Sequence, residues 1–159
     1  MYEMFHALAT YNKAANEMVV AHLRAMGPEK ALAEHPTYYP NILKTLLHVL
    51  RSDIRWTERL PFPGSGKLGK LDVDSLSVED YLRYRTQVDD DIIQVIESRK
   101  DADFTAMTRI ELGKKVFERP LWQFLLQWFN HHAHHRGQVS VLLDLEGVDN
   151  DYSGVLDKI

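Results

Sequence analysis

Apolar residues recur at helical spacing in four long stretches of the chain. In the first, roughly 3–26, Met4, Leu8, Tyr11, Ala15, Met18 or Val19, His22 and Met26 fall about one turn apart. Gly27-Pro28 ends it. The polar stretch 28–39, with His35-Pro36, reads as a loop. Pro40 suits the first turn of a second helix, where its missing N–H does no harm, and Ile42, Leu43, Leu46, Leu47, Leu50 and Ile54 form the apolar stripe. Pro61 and Pro63 close that helix, and 61–74, rich in Gly, Lys and Pro, reads as an exposed connection. Ser77-Val-Glu-Asp80 is a helix start, with Ser77 as cap and acids in the first turn, and the third helix should run to about Arg99.

Between 103 and 119 the pattern alternates instead, through Phe104, Met107, Ile110, Val116 and Phe117 around Gly113, which predicts a short hairpin or extended loop. Pro120 opens a fourth helix to about Leu145, with Gly147 as its cap, and the last dozen residues give no clear pattern. Four amphipathic segments with little strand signal predict an all-α four-helix bundle. The connection after the second helix is long enough to cross it.

At 159 residues, one domain spanning 1–159 is expected. No apolar run approaches the roughly 18 residues of a membrane span. The opening Met1-Tyr-Glu-Met-Phe-His6 lacks the order of a secretory signal. The absence of cysteine removes disulfides, thiolate metal sites and cysteine nucleophiles, and fits a cytoplasmic location. With 19 Lys and Arg, scattered, against 23 Asp and Glu, no basic arm or face is evident, and nucleic acid is an unexpected partner. Gly64-Ser-Gly-Lys-Leu-Gly-Lys-Leu71 nearly fits a phosphate-binding loop, but Leu71 stands where a magnesium-binding hydroxyl is needed, and no buried strand precedes it.

The compositional oddity is histidine: four of the eight lie between 131 and 135. On a helix, His131 and His135 are one turn apart and share a face, so two imidazoles can reach one ion. Trp128, Val139 and Leu142 lie near the same stripe, which makes this face inward. His132 and His134 then point to either side, and neither should matter for metal content. A metalloprotease helix would carry Glu where His132 stands, so no general base of that kind is present. A third ligand must come from another helix. His48, among Leu46, Leu47 and Leu50, is the best candidate and His22 the next; a core histidine pair without metal is the competing reading.

Three segments carry a family resemblance. Leu47-His-Val-Leu-Arg-Ser-Asp-Ile-Arg-Trp56 and Phe129-Asn-His-His-Ala-His-His-Arg-Gly-Gln138 resemble the two signatures of the DinB/YfiT-like family, and Tyr11-Asn-Lys-Ala-Ala-Asn16 resembles its opening helix. The resemblance implies a four-helix bundle, commonly a homodimer, with a divalent metal held by His48, His131 and His135. Better-understood relatives are metal-dependent transferases using low-molecular-weight thiols, and many members have no known activity.

Three imidazoles would leave an ion with open positions, as in catalytic zinc sites, and nitrogen ligands suit Zn, Ni, Fe or Co. A small-molecule substrate is expected, with any thiolate supplied from outside the chain. A metal-dependent thiol transferase or hydrolase is the leading expectation; a noncatalytic metal- or ligand-binding stress-response protein is the alternative.

Asn12, Asn16 and Gln138 are the candidate substrate-binding residues. Arg136 should make an ion pair, and Gly137 should mark the close approach of a neighbouring helix. Asp53 and Trp56 read as structural, and Asp89-Asp-Asp91 as a solvated face, one acid of which could orient a ligand histidine. Phe5, Val20, Trp122 and Phe124 are candidates for a dimer interface.

Overall fold

The computed structural model describes residues 1–154 and is mostly helical, with one small antiparallel sheet. Helix α1 (Tyr2–Met26) buries Phe5, Ala9, Asn12, Asn16, Val19 and Leu23, a stripe spaced by three or four residues. Gly27, at φ 81°, turns the chain out of α1 into a single helical turn, α2 (Pro28–Ala31), in the stretch expected to be loop. Pro28 is the first residue of that turn, where its fixed φ helps and its missing N–H costs nothing.

Helix α3 (Ile42–Arg59) begins later than the proline suggests. Pro40 lies outside it, and Asn41 is the cap, its side chain accepting from the Lys44 N–H at 2.9 Å. Helix α4 (Val78–Glu97) starts with a full capping box: the Ser77 hydroxyl accepts from the Asp80 N–H while the Asp80 carboxylate accepts from the Ser77 N–H. The connection between them contains a 3₁₀ turn (Val73–Ser75) and is only partly exposed, since Val73 is buried and Leu68 and Leu71 pack on the core.

The alternating stretch is a hairpin, β1 (Met107–Leu112) and β2 (Lys115–Pro120), with Met107 opposite Pro120 and Leu112 opposite Lys115. Gly113, at φ 62°, supplies the left-handed first turn residue that a tight two-residue turn requires. Helix α5 (Leu121–Leu145) follows at once, with Pro120 as its N-cap residue. At its far end the Gly147 N–H donates to Asp144 O and the Val148 N–H to Leu143 O, closing the last turn around Gly147 at φ 74°.

The four long helices pack α1 on α4, α3 on α5 and on α4, and α1 on α5. Their shared core includes Phe5, Leu23, Leu47, Leu50, Ile92 and Trp128. Phe104 stacks on Phe5, with ring centroids 5.6 Å apart, and ties the short Asp101–Thr105 turn to α1. Phe5, Val20 and Phe124 are spent inside this core and Trp122 is half-buried, so they offer little surface to a second chain. No helix of the described residues is long and apolar enough to cross a membrane.

Candidate metal centre

The packing of α3 on α5 brings His48 to His131 and His135, more than eighty residues away in sequence. Each ring offers one nitrogen, and the three nitrogens lie within 4.8 Å of one another. His48 Nε2 and His131 Nε2 are 3.1 Å apart. Two nitrogens at ~2.0–2.1 Å from one ion stand roughly 2.9–3.4 Å apart for angles between octahedral and tetrahedral, so the pair already has ligand spacing.

The third ring is prepared for the same task. The Gln138 side-chain oxygen lies 2.7 Å from His135 Nδ1, one turn along α5. Accepting the Nδ1 proton there would leave the Nε2 lone pair free, the arrangement that second-shell acceptors impose on metal-binding histidines.

Electrostatics agree with neutral, ligand-ready rings. Burial lowers the pKa of His48, and the nearby Arg51 adds to it. Burial, reinforced by His135, pushes His131 down to about 4. Burial also lowers His135, partly opposed by the bond to Gln138. Three bases crowded together away from water resist protonation and keep their lone pairs at neutral pH. The cluster therefore fits a divalent ion in the spacing of His48 and His131, in the tautomer that Gln138 favours at His135, and in the charge state of its rings. Tyr39 covers it, its ring 4.8 Å from that of His48 and 5.9 Å from that of His135.

The other histidines are placed differently. His22 Nδ1 lies 2.6 Å from the Tyr152 hydroxyl, away from the cluster. His134 is exposed and leans on His135. His132, expected beside the inward face, is only 2 % exposed and sits 2.8 Å from Asp53 Oδ1. The reason is helix phase. At about 100° per residue, the buried line through Trp128, Val139 and Leu142 passes between His132 and His135, leaving His131 at its edge.

Asp53 is the centre of a buried polar group. Its Oδ1 also accepts from Trp128 Nε1 at 2.8 Å, and its Oδ2 from Arg85 Nη1 at 2.7 Å. Arg85 also donates through Nε to Asp89, which accepts from Asn16. Burial alone would raise the Asp53 carboxyl, but His132 and Arg85 outweigh it and hold the group down at about 2. For Asp89 burial wins over Arg85 and Asn16, and the carboxyl is pushed up to about 6. Asp89 thus belongs to the interior, not to a solvated face, and it touches no histidine of the cluster. Trp56 stacks on Trp128, with centroids 5.7 Å apart.

Of the candidate substrate contacts, Gln138 stands at the cluster. Asn12 is buried and accepts from Arg136 Nη1 at 3.0 Å. Asn16 is buried against Asp89 and lines a small void that His132 and His135 also line. Arg136 has no carboxylate partner among the described residues; it lies over the Tyr11 ring at 4.9 Å and uses Asn12 in place of an ion pair.

Gly137 is not a close-approach site. A Cβ built there meets nothing within 4 Å, and the residue borders a cleft beside the cluster. Gly137→Ala is therefore expected to raise stability by about 0.5–1 kcal/mol, the helix-interior cost of glycine, with no clash to offset it. Urea titration reads this directly, and a destabilised variant would mean that the backbone here needs glycine.

A mostly helical protein with a helix-borne three-histidine cluster able to hold a metal ion defines the class. The DinB family model matches residues 1–154, and the chain belongs to the DinB family. No curated protein matches it.

Proposed function

We propose that this protein binds a divalent metal through His48, His131 and His135 and is a metal-dependent enzyme of the thiol-transferase or hydrolase type acting on a small molecule. The observation that carries the reading is the convergence of three imidazole nitrogens within 4.8 Å of one another, supplied by two helices. An ion held by three nitrogens keeps open positions and lowers the pKa of a thiol or water that joins it, whether the metal is Zn, Ni, Fe or Co. The residues around it have separate tasks. Gln138 orients the His135 ring, and Tyr39 shields the rings of His48 and His135. Asn16, committed to Asp89, shapes the wall behind His135 directly, and Asn12 does so through Arg136, which it holds there.

With no cysteine in the chain, a reacting thiolate comes from a low-molecular-weight thiol. The same composition suits a cytoplasmic setting. We propose further that the chain is one domain, a four-helix bundle of the family's type, and a homodimer.

The experiment is to load metal-free protein with cobalt and titrate small thiols. An intense near-ultraviolet sulfur-to-cobalt band is expected. With cobalt demonstrably bound, the absence of any spectral change would reject thiol activation and favour metal-bound water, the hydrolase reading, or a noncatalytic metal- or ligand-binding protein.

A further inference from the structure

Beside the histidine cluster runs a cleft of about 310 Å³, within the size range of small-ligand sites. One wall is the loop carrying Thr37, Tyr38 and Tyr39; the other is the α5 face of Gly137, Val141 and Leu142. Three of its residues reach the cluster directly, one of them His134, whose ring lies 4.8 Å from that of His135. Tyr39 packs on His48 and His135, and Gln138 is hydrogen-bonded to His135.

The wall chemistry restricts the occupant. No Lys, Arg, Asp or Glu lines the cleft. Three of its polar side chains already have partners. The Thr37 hydroxyl donates to Tyr39 O at 2.6 Å, and the Thr45 hydroxyl to Asn41 O at 3.1 Å. Gln138 bonds His135 at 2.7 Å through its oxygen and contacts His134 at 3.3 Å through its nitrogen. What is left for a ligand is the two tyrosine rings with their hydroxyls, the exposed edge of His134, the aliphatic side chains of Val141 and Leu142, and the bare backbone of Gly137. A charged group entering here would lose hydration with no carboxylate, ammonium or guanidinium to pair with, whereas an uncharged apolar group loses only its contact with water.

Gly137 decides how much room there is. It lies inside a helix, where glycine is unfavourable, yet no neighbouring atom comes within 4 Å of the Cβ it lacks. Packing does not demand the glycine. The space its missing side chain leaves belongs to the cleft.

We propose that this cleft is the binding site for the uncharged, apolar and preferably aromatic part of the substrate, and that Gly137 is a specificity-determining residue that keeps it open. The assignment rests on reading the histidine cluster as the reacting centre, since it is the contacts through Tyr39 and Gln138 that would place a ligand there beside the metal.

The test uses the full chain stripped of metal, with prodan, a neutral naphthalene fluorophore, as the probe. Saturable binding with a blue-shifted emission is expected for wild type. Gly137→Leu should weaken it by roughly tenfold or more by filling the cleft. Gly137→Ala, one methyl group, should fall between, and Leu126→Ala, at an exposed α5 position outside the cleft, should leave binding unchanged. Equal prodan binding by wild type and Gly137→Leu would overturn the proposal, as would equally tight binding of an anionic naphthalene sulfonate. So would a change from dimer to monomer caused by Gly137→Leu, which would assign this face to a second copy of the chain. Metal titration of the same variant keeps the two readings apart: Gly137→Leu should bind zinc as wild type does, whereas failure of wild type itself to bind zinc removes the metal reading without touching the cleft.

Discussion

Arg85→Met is expected to destabilise the fold by about 3–5 kcal/mol at pH 7, a large part of the 5–15 kcal/mol that typically holds a domain together. Arg85 is 1 % exposed and lies between Asp53 and Asp89, at 0 % and 2 %. Methionine keeps most of the volume but leaves two buried carboxylates without their cation. Their pKa values in the folded state then rise, Asp89 from the value of about 6 it already has and Asp53 from about 2. For an acid whose folded pKa lies above its unfolded value, stability is retained at low pH and lost as pH rises through the folded pKa. The deficit relative to wild type should therefore be greatest near neutrality and shrink on acidification toward pH ~5. Urea unfolding of metal-free wild type and variant at several pH values reads both the size and the sign. A loss under about 1 kcal/mol, or one that grows as the pH falls, would show that the triad is not held by charge.

Much of this interior is hidden from a pattern of apolar positions. The helices and the hairpin turn are legible, because Gly27, Ser77, Gly113 and Gly147 each do a job that few other residues can do. Alternation within 103–119 points to the hairpin but not to its ends, at Met107 and Pro120, because Phe104 belongs to the preceding turn. Arg85, Asp89, Asn12 and Asn16 were harder to place, since a polar residue on a helix normally marks the solvent side, and here these residues satisfy one another in the core. Asp53 was visible only as part of a motif. Nothing local revealed that Trp128, His132 and Arg85 would converge on it from two other helices.

The histidine segment shows the same limit. Spacing put His131 and His135 on one face, and they do meet His48. The phase of that face was off by part of a turn, because three large apolar neighbours define a stripe only to within the width of a side chain. As a result His132, grouped in the sequence with His134, is buried against Asp53 while His134 stays exposed. Tyr39 escaped notice because it sits in a loop with no periodicity, although it covers two of the three rings.

The second large effect separates these histidines by experiment. His48→Ala, His131→Ala and His135→Ala should each lower zinc affinity by several orders of magnitude, because two imidazoles alone make a poor site. His134→Ala should bind zinc as wild type does. His132→Ala should keep the ligand set yet lose stability, since it takes a buried partner from the Asp53 carboxylate, whose removal costs on the order of a few kcal/mol. Gln138→Ala should weaken zinc by ~10–100-fold, the usual consequence of releasing a ligand histidine from its acceptor. Calorimetric zinc titration alongside urea unfolding distinguishes the classes. Equal loss of zinc in all four variants of the 131–135 cluster would mean that the ion is held by the helix surface and not by the inward face.

The most direct measurement is X-ray absorption at the metal edge of protein without a histidine tag, loaded with one equivalent of zinc. The account predicts a first shell containing three imidazole nitrogens at about 2.0–2.1 Å, with the characteristic outer-shell scattering of the rings, and one fewer imidazole in His48→Ala if that variant is driven to occupancy. A shell of oxygens with one imidazole or none, or a spectrum unchanged by His48→Ala, would contradict the three-histidine centre.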